Sequence, residues 1–239
     1  MIAEVDGLID GIVDEGLRSK VRDLLHDPNI NLDFDRIRLE ECPGGSYVHH
    51  SYRGGLLEHT VSVTRLALTL CDLVTEVYGG RVDRDSVLAG ALLHDVMKCY
   101  VYVPREGDGY VSSPLGERID HLTLLVAEMY ERGFPLDVIH VAASHHGDQS
   151  PIKPKTVEAL IVSIADLADS ELSRNVQRAA EYLLKQATGE DGRGLSSREA
   201  LEIVRAKAEK GLEGVRRLRG GKAKKAGRGV LSGAAVPER

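Results

Sequence analysis

Residues 87–98 read VLAGALLHDVMK, and this stretch decides the fold class. Seven apolar or small residues run directly into His94 and Asp95. An apolar run of this kind predicts a helix that is buried on most of its sides. A polar pair at the end of such a helix is costly to bury without partners, so we expect His94 and Asp95 to have a functional partner in the interior.

Apolar residues at helical spacing continue on both sides of this stretch, and strands do not alternate with helices. The segments around residues 100–103 and 110–111 flank a glycine-containing turn and predict a small β-hairpin. The fold class predicted from this pattern is all-α. Helices are predicted within residues 2–26 and over 56–77, 85–97, 119–131, 136–145, 155–170, 173–188 and 196–210.

The composition is that of an ordinary globular protein with an aliphatic core. Of the 239 residues, 42% are hydrophobic but only 4% are aromatic, and tryptophan is absent, which favours helices packed on helices. The net charge is -6, but Glu213–Arg239 carries eight bases and two acids. The tail is therefore about +6 and the body about -12, which argues weakly against nucleic-acid binding by the whole surface.

The cysteine usage and the N-terminus predict a cytoplasmic protein. Cys42, Cys71 and Cys99 show no close-pair spacing, which is typical of a reduced, intracellular chain. The N-terminus carries acids where a signal peptide needs bases. No apolar run approaches the length of a membrane span, so no membrane partner is expected.

Histidines and aspartates recur at the ends of several predicted helices. Divalent transition metals prefer imidazole and carboxylate ligands, and a carboxylate shared between two metals can bridge them at roughly 3.5–4 Å. Ligands of a buried site in a helical bundle come from several helices that face one core. The candidate ligands are His59, His94, Asp95, His121, His145, His146 and Asp166.

This order of His, then His-Asp, then a distant Asp resembles the signature of the HD superfamily of metal-dependent phosphohydrolases, over residues 46–172. The additional histidines resemble its binuclear branch, whose motif often reads His-Asp-x-x-Lys, as in residues 94–98. The resemblance implies an HD-domain helical bundle that holds two divalent metal ions, with Fe(II) and Mn(II) as the expected ions.

The resemblance also implies a role for each residue. Asp95 would bridge the metals, and Lys98 would place a cation near the phosphate or protonate the leaving oxygen, unless it only stabilises a helix C-terminus. Whether both His145 and His146 are ligands stays open. Substrate contacts are expected from His49, His50 and Arg53. The first metal would be held by His59, His94, Asp95 and Asp166, and the second by His121, His145 and His146.

Two groups within the superfamily share longer stretches with this chain. Residues 51–68, 113–129 and 151–172 resemble archaeal phosphodiesterases that act on dihydroneopterin 2′,3′-cyclic phosphate in methanopterin biosynthesis. Residues 54–60 and the His-His-Gly segment resemble bacterial 3′–5′ exoribonucleases, which carry an N-terminal OB-fold domain. Too few residues precede the shared core here for an OB barrel. A small cyclic phosphodiester is therefore the expected substrate.

Other functions stay open at this point. The chain could hydrolyse RNA or another nucleotide, or it could be an RNA-binding module with a structural metal and the basic tail as its contact. A structural metal normally has a closed ligand shell without a catalytic lysine beside it, which argues against the binding module. Assembly into a homo-oligomer is also left open. The expected organisation is an N-terminal helical segment (1–45), the catalytic core (46–172), C-terminal helices (173–210) and a basic, flexible tail (211–239).

Overall fold

The computed structural model describes residues 1–46, 49–107 and 109–228, and for 221–228 the backbone alone. The chain divides into two compact units, Met1–Arg174 and Asn175–Arg239. The predicted all-α class with one small hairpin is confirmed. None of the helices described is both long and apolar enough to cross a membrane.

The described residues form α-helices and one pair of β-strands. In chain order they are α1 (Ile2–Ile9), α2 (Glu15–His26), α3 (Gly55–Asp72, extended by a π-helical turn, Leu73–Val77), α4 (Arg84–Leu93), α5 (Lys98–Val101), β1 (Tyr102–Pro104), β2 (Tyr110–Ser112), α6 (His121–Glu131), α7 (Leu136–Ala143, followed by a 3-10 turn, Gly147–Gln149), α8 (Val157–Thr188) and α9 (Ser197–Arg228).

Aspartates fix the beginnings of three helices in the first unit. Asp14, Asp83 and Asp120 each precede a helix, and each side chain accepts a hydrogen bond from a backbone N–H of the first turn. Such caps satisfy N–H groups that have no partner within the helix. The cap at Asp120 makes His121 the first residue of α6, which places that side chain at the helix end.

The central contact of the first unit is the packing of α4 on α7. All residues from Ser86 to Leu93 are buried, as the apolar run predicts. The two backbones approach closely where Gly90 faces Val141: a Cβ at position 90 would lie 2.2 Å from Val141 Cγ1. Only glycine permits this approach, since real Cβ atoms do not come so near another atom.

The hairpin and α8 have boundaries that differ from those predicted. Residues 100 and 101 belong to α5, so the hairpin begins at Tyr102 and pairs antiparallel with β2. Residues 155–170 and 173–188 were expected to form two helices, but α8 runs unbroken through this junction. The polar residues around this junction belong to the exposed face of one amphipathic helix and were interpreted as a helix boundary.

The tail predicted from Gly211 has a helical backbone as far as residue 228, while its flexibility stays a prediction. α9 contains a break at Lys210 and Gly211, where Gly211 has φ 64°, and the backbone is helical again beyond it. The reason is that Leu212, Val215 and Leu218 pack into the apolar cluster of the second unit, which contains Leu184 and Ile203. Residues 229–239 of the predicted tail lie outside the described residues.

Candidate metal centre

The ligand candidates on α3 and α8 meet through His59 and Asp166. His59 is fully buried, and its Nε2 lies 3.1 Å from Asp166 Oδ1. The other ring nitrogen, Nδ1, donates to Asp169 Oδ2 at 2.7 Å, and Ser62 also donates to Asp169. Asp169 thus holds the ring in the tautomer that leaves Nε2 free as a ligand, an arrangement common behind metal-binding histidines.

Two further histidines are oriented by the same kind of hydrogen bond. His94 and His145 follow α4 and α7, and each Nδ1 donates to the carbonyl three residues earlier, Ala91 at 2.8 Å and Ala142 at 2.7 Å. Both rings are buried. Each therefore directs its unprotonated Nε2 into the centre, since the Nδ1 proton is already engaged.

Asp95 joins two groups of ligands, one on each of its carboxylate oxygens. Its Oδ2 lies 3.4 Å from Nε2 of both His59 and His94. Its Oδ1 lies 3.2 Å from His121 Nε2 and 3.7 Å from His145 Nε2. Asp95 therefore lies between two groups of ligand candidates, with one carboxylate oxygen facing each group.

The residues present fit a bound metal. Asp95 Oδ1 and His145 Nε2 are both buried, yet neither has a hydrogen-bond partner among the described residues. Leaving two such atoms unsatisfied is costly, and a shared cation would satisfy both. Among the described residues, three sets have ligand atoms within 4.8 Å of one another: His59, His94 and Asp166; Asp95, His121, His145 and His146; and His49, His50 and His59.

His146 reaches both groups. Its Nδ1 lies 3.5 Å from Asp166 Oδ2, and its Nε2 lies 3.3 Å from His121 Nε2. The ring is partly exposed, unlike that of His145. The structure therefore brings both members of the pair to the centre, although the sequence left open whether both are ligands.

The neutral histidines and the negative charge of the carboxylates in this centre favour the binding of a cation. Burial lowers the pKa of His121 and His145, which keeps both rings neutral and able to bind a metal. Burial also acts to lower the pKa of His59, but hydrogen bonds with Asp166, Asp169 and Asp95 outweigh it and raise that pKa well above its usual value. The negative charge that favours a proton on His59 equally favours a metal ion there.

Lys98 is buried beside the bridging position. Its Nζ donates to Asp95 Oδ2 at 2.5 Å and to the carbonyl oxygen of Gly44 at 2.7 Å. Burial acts to lower the pKa of Lys98, but the charge of Asp95 outweighs it and the pKa is raised. Lys98 therefore stays a cation bound to Asp95 and does more than stabilise a helix end.

A cavity of about 490 Å³ opens beside the centre, a size typical of small-molecule sites. Its wall includes His49, Lys98, His145, His146 and Asp166. Burial and, after it, the charge of His59 lower the pKa of His49 to about 3, so this ring enters the cavity neutral. Of the three predicted substrate contacts, the structure brings His49 to the cavity.

The other two predicted contacts are not among the described residues that line this cavity. Arg53 is 72% exposed, and its guanidinium pairs with Glu41 at 2.6 Å. His50 is buried, and its Nε2 lies 3.7 Å from Asp169. Its role is to pack behind His59, where burial and the charge of His59 lower its pKa to about 4.

The guanidinium that does line the cavity is that of Arg174, which sequence reasoning missed. Arg174 lies eight residues after Asp166 on α8, and the face it shares with Asp166 and Ser170 follows helical spacing. The continuity of α8 was the signal needed to find it. Asp169, three residues after Asp166 on α8, is the residue that orients His59.

The helices of the first unit surround a set of histidine and aspartate ligand candidates, and one buried aspartate lies between two groups of them. This arrangement is typical of the class of HD-domain hydrolases. The HD domain family matches residues 56–171. The dihydroneopterin 2′,3′-cyclic phosphate phosphodiesterase of Methanocaldococcus jannaschii is 48% identical over 169 residues, which cover 70% of this chain and 68% of that protein. The chain belongs to the HD-domain family and is a hydrolase, as its sequence predicts.

More distant relatives share the same region. The 3′-5′ exoribonuclease YhaM of Bacillus subtilis is 30% identical over 155 residues, covering 59% of this chain and 46% of that protein. The enzyme of the same name from Listeria monocytogenes is 33% identical over 147 residues, covering 56% and 44%. The chain thus spans less than half of these exoribonucleases. No solved structure matches the chain at comparable significance.

Proposed function

We propose that this chain is a phosphodiesterase that uses two divalent metal ions, Fe(II) or Mn(II), to open a small 2′,3′-cyclic phosphodiester. The candidate substrate is dihydroneopterin 2′,3′-cyclic phosphate, an intermediate of pterin biosynthesis. One observation carries the proposal: the two oxygens of buried Asp95 face two separate ligand groups. The buried, unpaired cysteines support a cytoplasmic location.

The reaction adds water to phosphorus, breaks one P–O ester bond, and leaves a phosphomonoester and a free hydroxyl. When bound, divalent metals lower the pKa of a coordinated water towards neutrality and balance charge on the phosphoryl oxygens. Lys98 holds the Asp95 carboxylate, and Asp169, Ala91 and Ala142 orient the histidines. The cavity beside them would hold the substrate. Its volume suits a small ligand.

The extent of the match to each relative favours a cyclic phosphodiester over RNA as the substrate. The pterin enzyme is matched over 68% of its length, whereas the exoribonuclease of Bacillus subtilis is matched over 46%. Most of an exoribonuclease therefore has no counterpart in this chain. Degradation of single-stranded RNA becomes an outcome to be tested.

The test combines metal content with turnover. We expect anaerobically purified protein to retain two metal ions per chain and to hydrolyse dihydroneopterin 2′,3′-cyclic phosphate with Fe(II) or Mn(II), but not after chelation. Metal content is measured by inductively coupled plasma mass spectrometry and products by chromatography. Retention of one metal or none, with no turnover of any cyclic phosphodiester, would overturn the proposal. Turnover of RNA alone would favour the exoribonuclease activity.

Asp169→Ala is expected to lower metal affinity about 10- to 100-fold, the usual effect of removing the group behind a metal-binding histidine. The reason is that His59 loses the acceptor that fixes its Nδ1 proton. Affinity is measured by Mn(II) titration against a competing chelator. Asp33→Ala, at an exposed position, is the control and should bind like the original protein. Unchanged affinity in Asp169→Ala would show that Asp169 does not orient a ligand.

A further inference from the structure

Besides the candidate metal ligand Asp166, α8 contributes further residues to the cavity wall. Beyond Asp166, the residues Ser170, Glu171 and Arg174 also line the cavity. At 1.5 Å of rise per residue, Glu171 lies about 7.5 Å and Arg174 about 12 Å farther along the helix than Asp166. Groups at these distances can contact the part of a small substrate that lies away from its phosphate.

Glu171 and Arg174 form a joined pair of opposite charge at this end of the cavity. A guanidinium Nη2 of Arg174 donates to Glu171 Oε1, and both side chains are partly exposed, at 32% and 43%. The Nε of Arg174 is buried and has no hydrogen-bond partner among the described residues. A buried guanidinium nitrogen without an acceptor indicates that this side chain is built to bind something further.

Two large aliphatic side chains lie in the same cavity wall. Leu160 and Leu167 line the cavity, and they are 52% and 61% exposed. Their seven-residue spacing puts them on one face of α8, which Glu171 and Arg174 continue. An apolar wall that ends in a charged pair suits a flat ring with a polar edge.

We propose that Glu171 and Arg174 recognise the amino-oxopyrimidine edge of the substrate's base, with Leu167 against the ring; this rests on the proposed phosphodiesterase function. That edge presents two N–H donors beside one carbonyl acceptor. A carboxylate accepts from both donors, and a guanidinium donates to the carbonyl. A pterin and a guanine share this edge, whereas adenine lacks it.

The proposal is tested by comparing four substrates of Glu171→Gln. They are dihydroneopterin 2′,3′-cyclic phosphate, 2′,3′-cyclic GMP, 2′,3′-cyclic AMP and bis-p-nitrophenyl phosphate. The variant amide keeps one acceptor but turns a donor towards a donor. We expect kcat/KM to fall about 10- to 100-fold for the first two, mainly through KM, as a lost hydrogen bond to a charged group predicts. The other two substrates should be unaffected. Glu131→Gln, at an exposed position on α6, is the control.

Arg174→Lys tests the second half of the pair, since lysine keeps the charge but loses the planar fork. We expect the same selective loss for the pterin and guanine substrates. An equal loss on all four substrates would overturn the assignment and place Arg174 on the phosphate. No loss on any substrate with either variant would also overturn it.

The outcomes separate this inference from the function on which it rests. If the original protein hydrolyses the pterin substrate and Glu171→Gln is indistinguishable from it, the inference fails and the function stands. If no pterin substrate is hydrolysed, but a preference for cyclic GMP over cyclic AMP is lost in Glu171→Gln, the base recognition stands and the proposed substrate fails.

Discussion

Asp95→Asn is expected to reduce phosphodiester hydrolysis to about one thousandth or less, because a single group that organises transition-state charge is already worth about 10²–10³-fold. The effect should exceed that of any other single ligand, since each Asp95 oxygen faces a different group of histidines. Asparagine has the same shape but no charge, and its N–H₂ cannot bind a metal. Metal content measured by mass spectrometry should therefore fall at both positions together.

Folding must be separated from function in this variant, because Lys98 loses its buried partner. The double variant Asp95→Asn, Lys98→Met removes the unpaired cation, and circular dichroism shows whether each protein stays helical. A helical Asp95→Asn that retains two metals and full turnover would mean that the bridging assignment is wrong. Loss of one metal with the other retained would also contradict it.

Lys98→Met is expected to lower the free energy of unfolding of the metal-free protein by about 3–5 kcal/mol, the cost of leaving a buried charge without its partner. For a chain of this size this corresponds to a fall in Tm of about 6–20 °C. Lys98 and Asp95 are both almost fully buried, so water cannot replace the lost ammonium. A bound divalent cation would also balance Asp95, so the loss should be smaller with Mn(II) than with chelator.

The measurement is thermal denaturation of Lys98→Met with chelator and with Mn(II). Lys207→Met removes an exposed lysine on α9 and should leave Tm unchanged in both conditions. If Lys98→Met were as stable as the original protein without metal, Asp95 would not depend on this ion pair. If Mn(II) gave no protection, the carboxylate would not be a metal ligand.

Much of the fold follows from the sequence because its causes are local. The buried helix α4 was predicted from an unbroken apolar run, and the C-terminal end of α6 was predicted at residue 131, where the structure has it. The helical backbone after Gly211 was missed because Leu212, Val215 and Leu218 are sparse among basic residues. Their partners, Leu184 and Ile203, are distant in sequence, so the packing has no local signal.

The candidate site was also predicted only in part. Every predicted ligand lies at the centre, since a set of His and Asp residues on different helices leaves few other arrangements. The cavity was harder to predict: Arg53 looked suitable because it precedes a ligand helix, but Glu41 holds it outside. Arg174 was overlooked because a helix boundary was predicted before it, while α8 in fact carries it along the cavity.

The contact between Gly90 and Val141 sets the spacing between α4 and α7. Each residue precedes a ligand by one helical turn, Gly90 before His94 and Val141 before His145, and these histidines belong to opposite ligand groups. The distance between the two histidines therefore depends on the distance between the two backbones. Two paramagnetic ions bound as proposed would couple magnetically to a degree that depends on their separation, so Gly90 would influence that coupling without binding either ion.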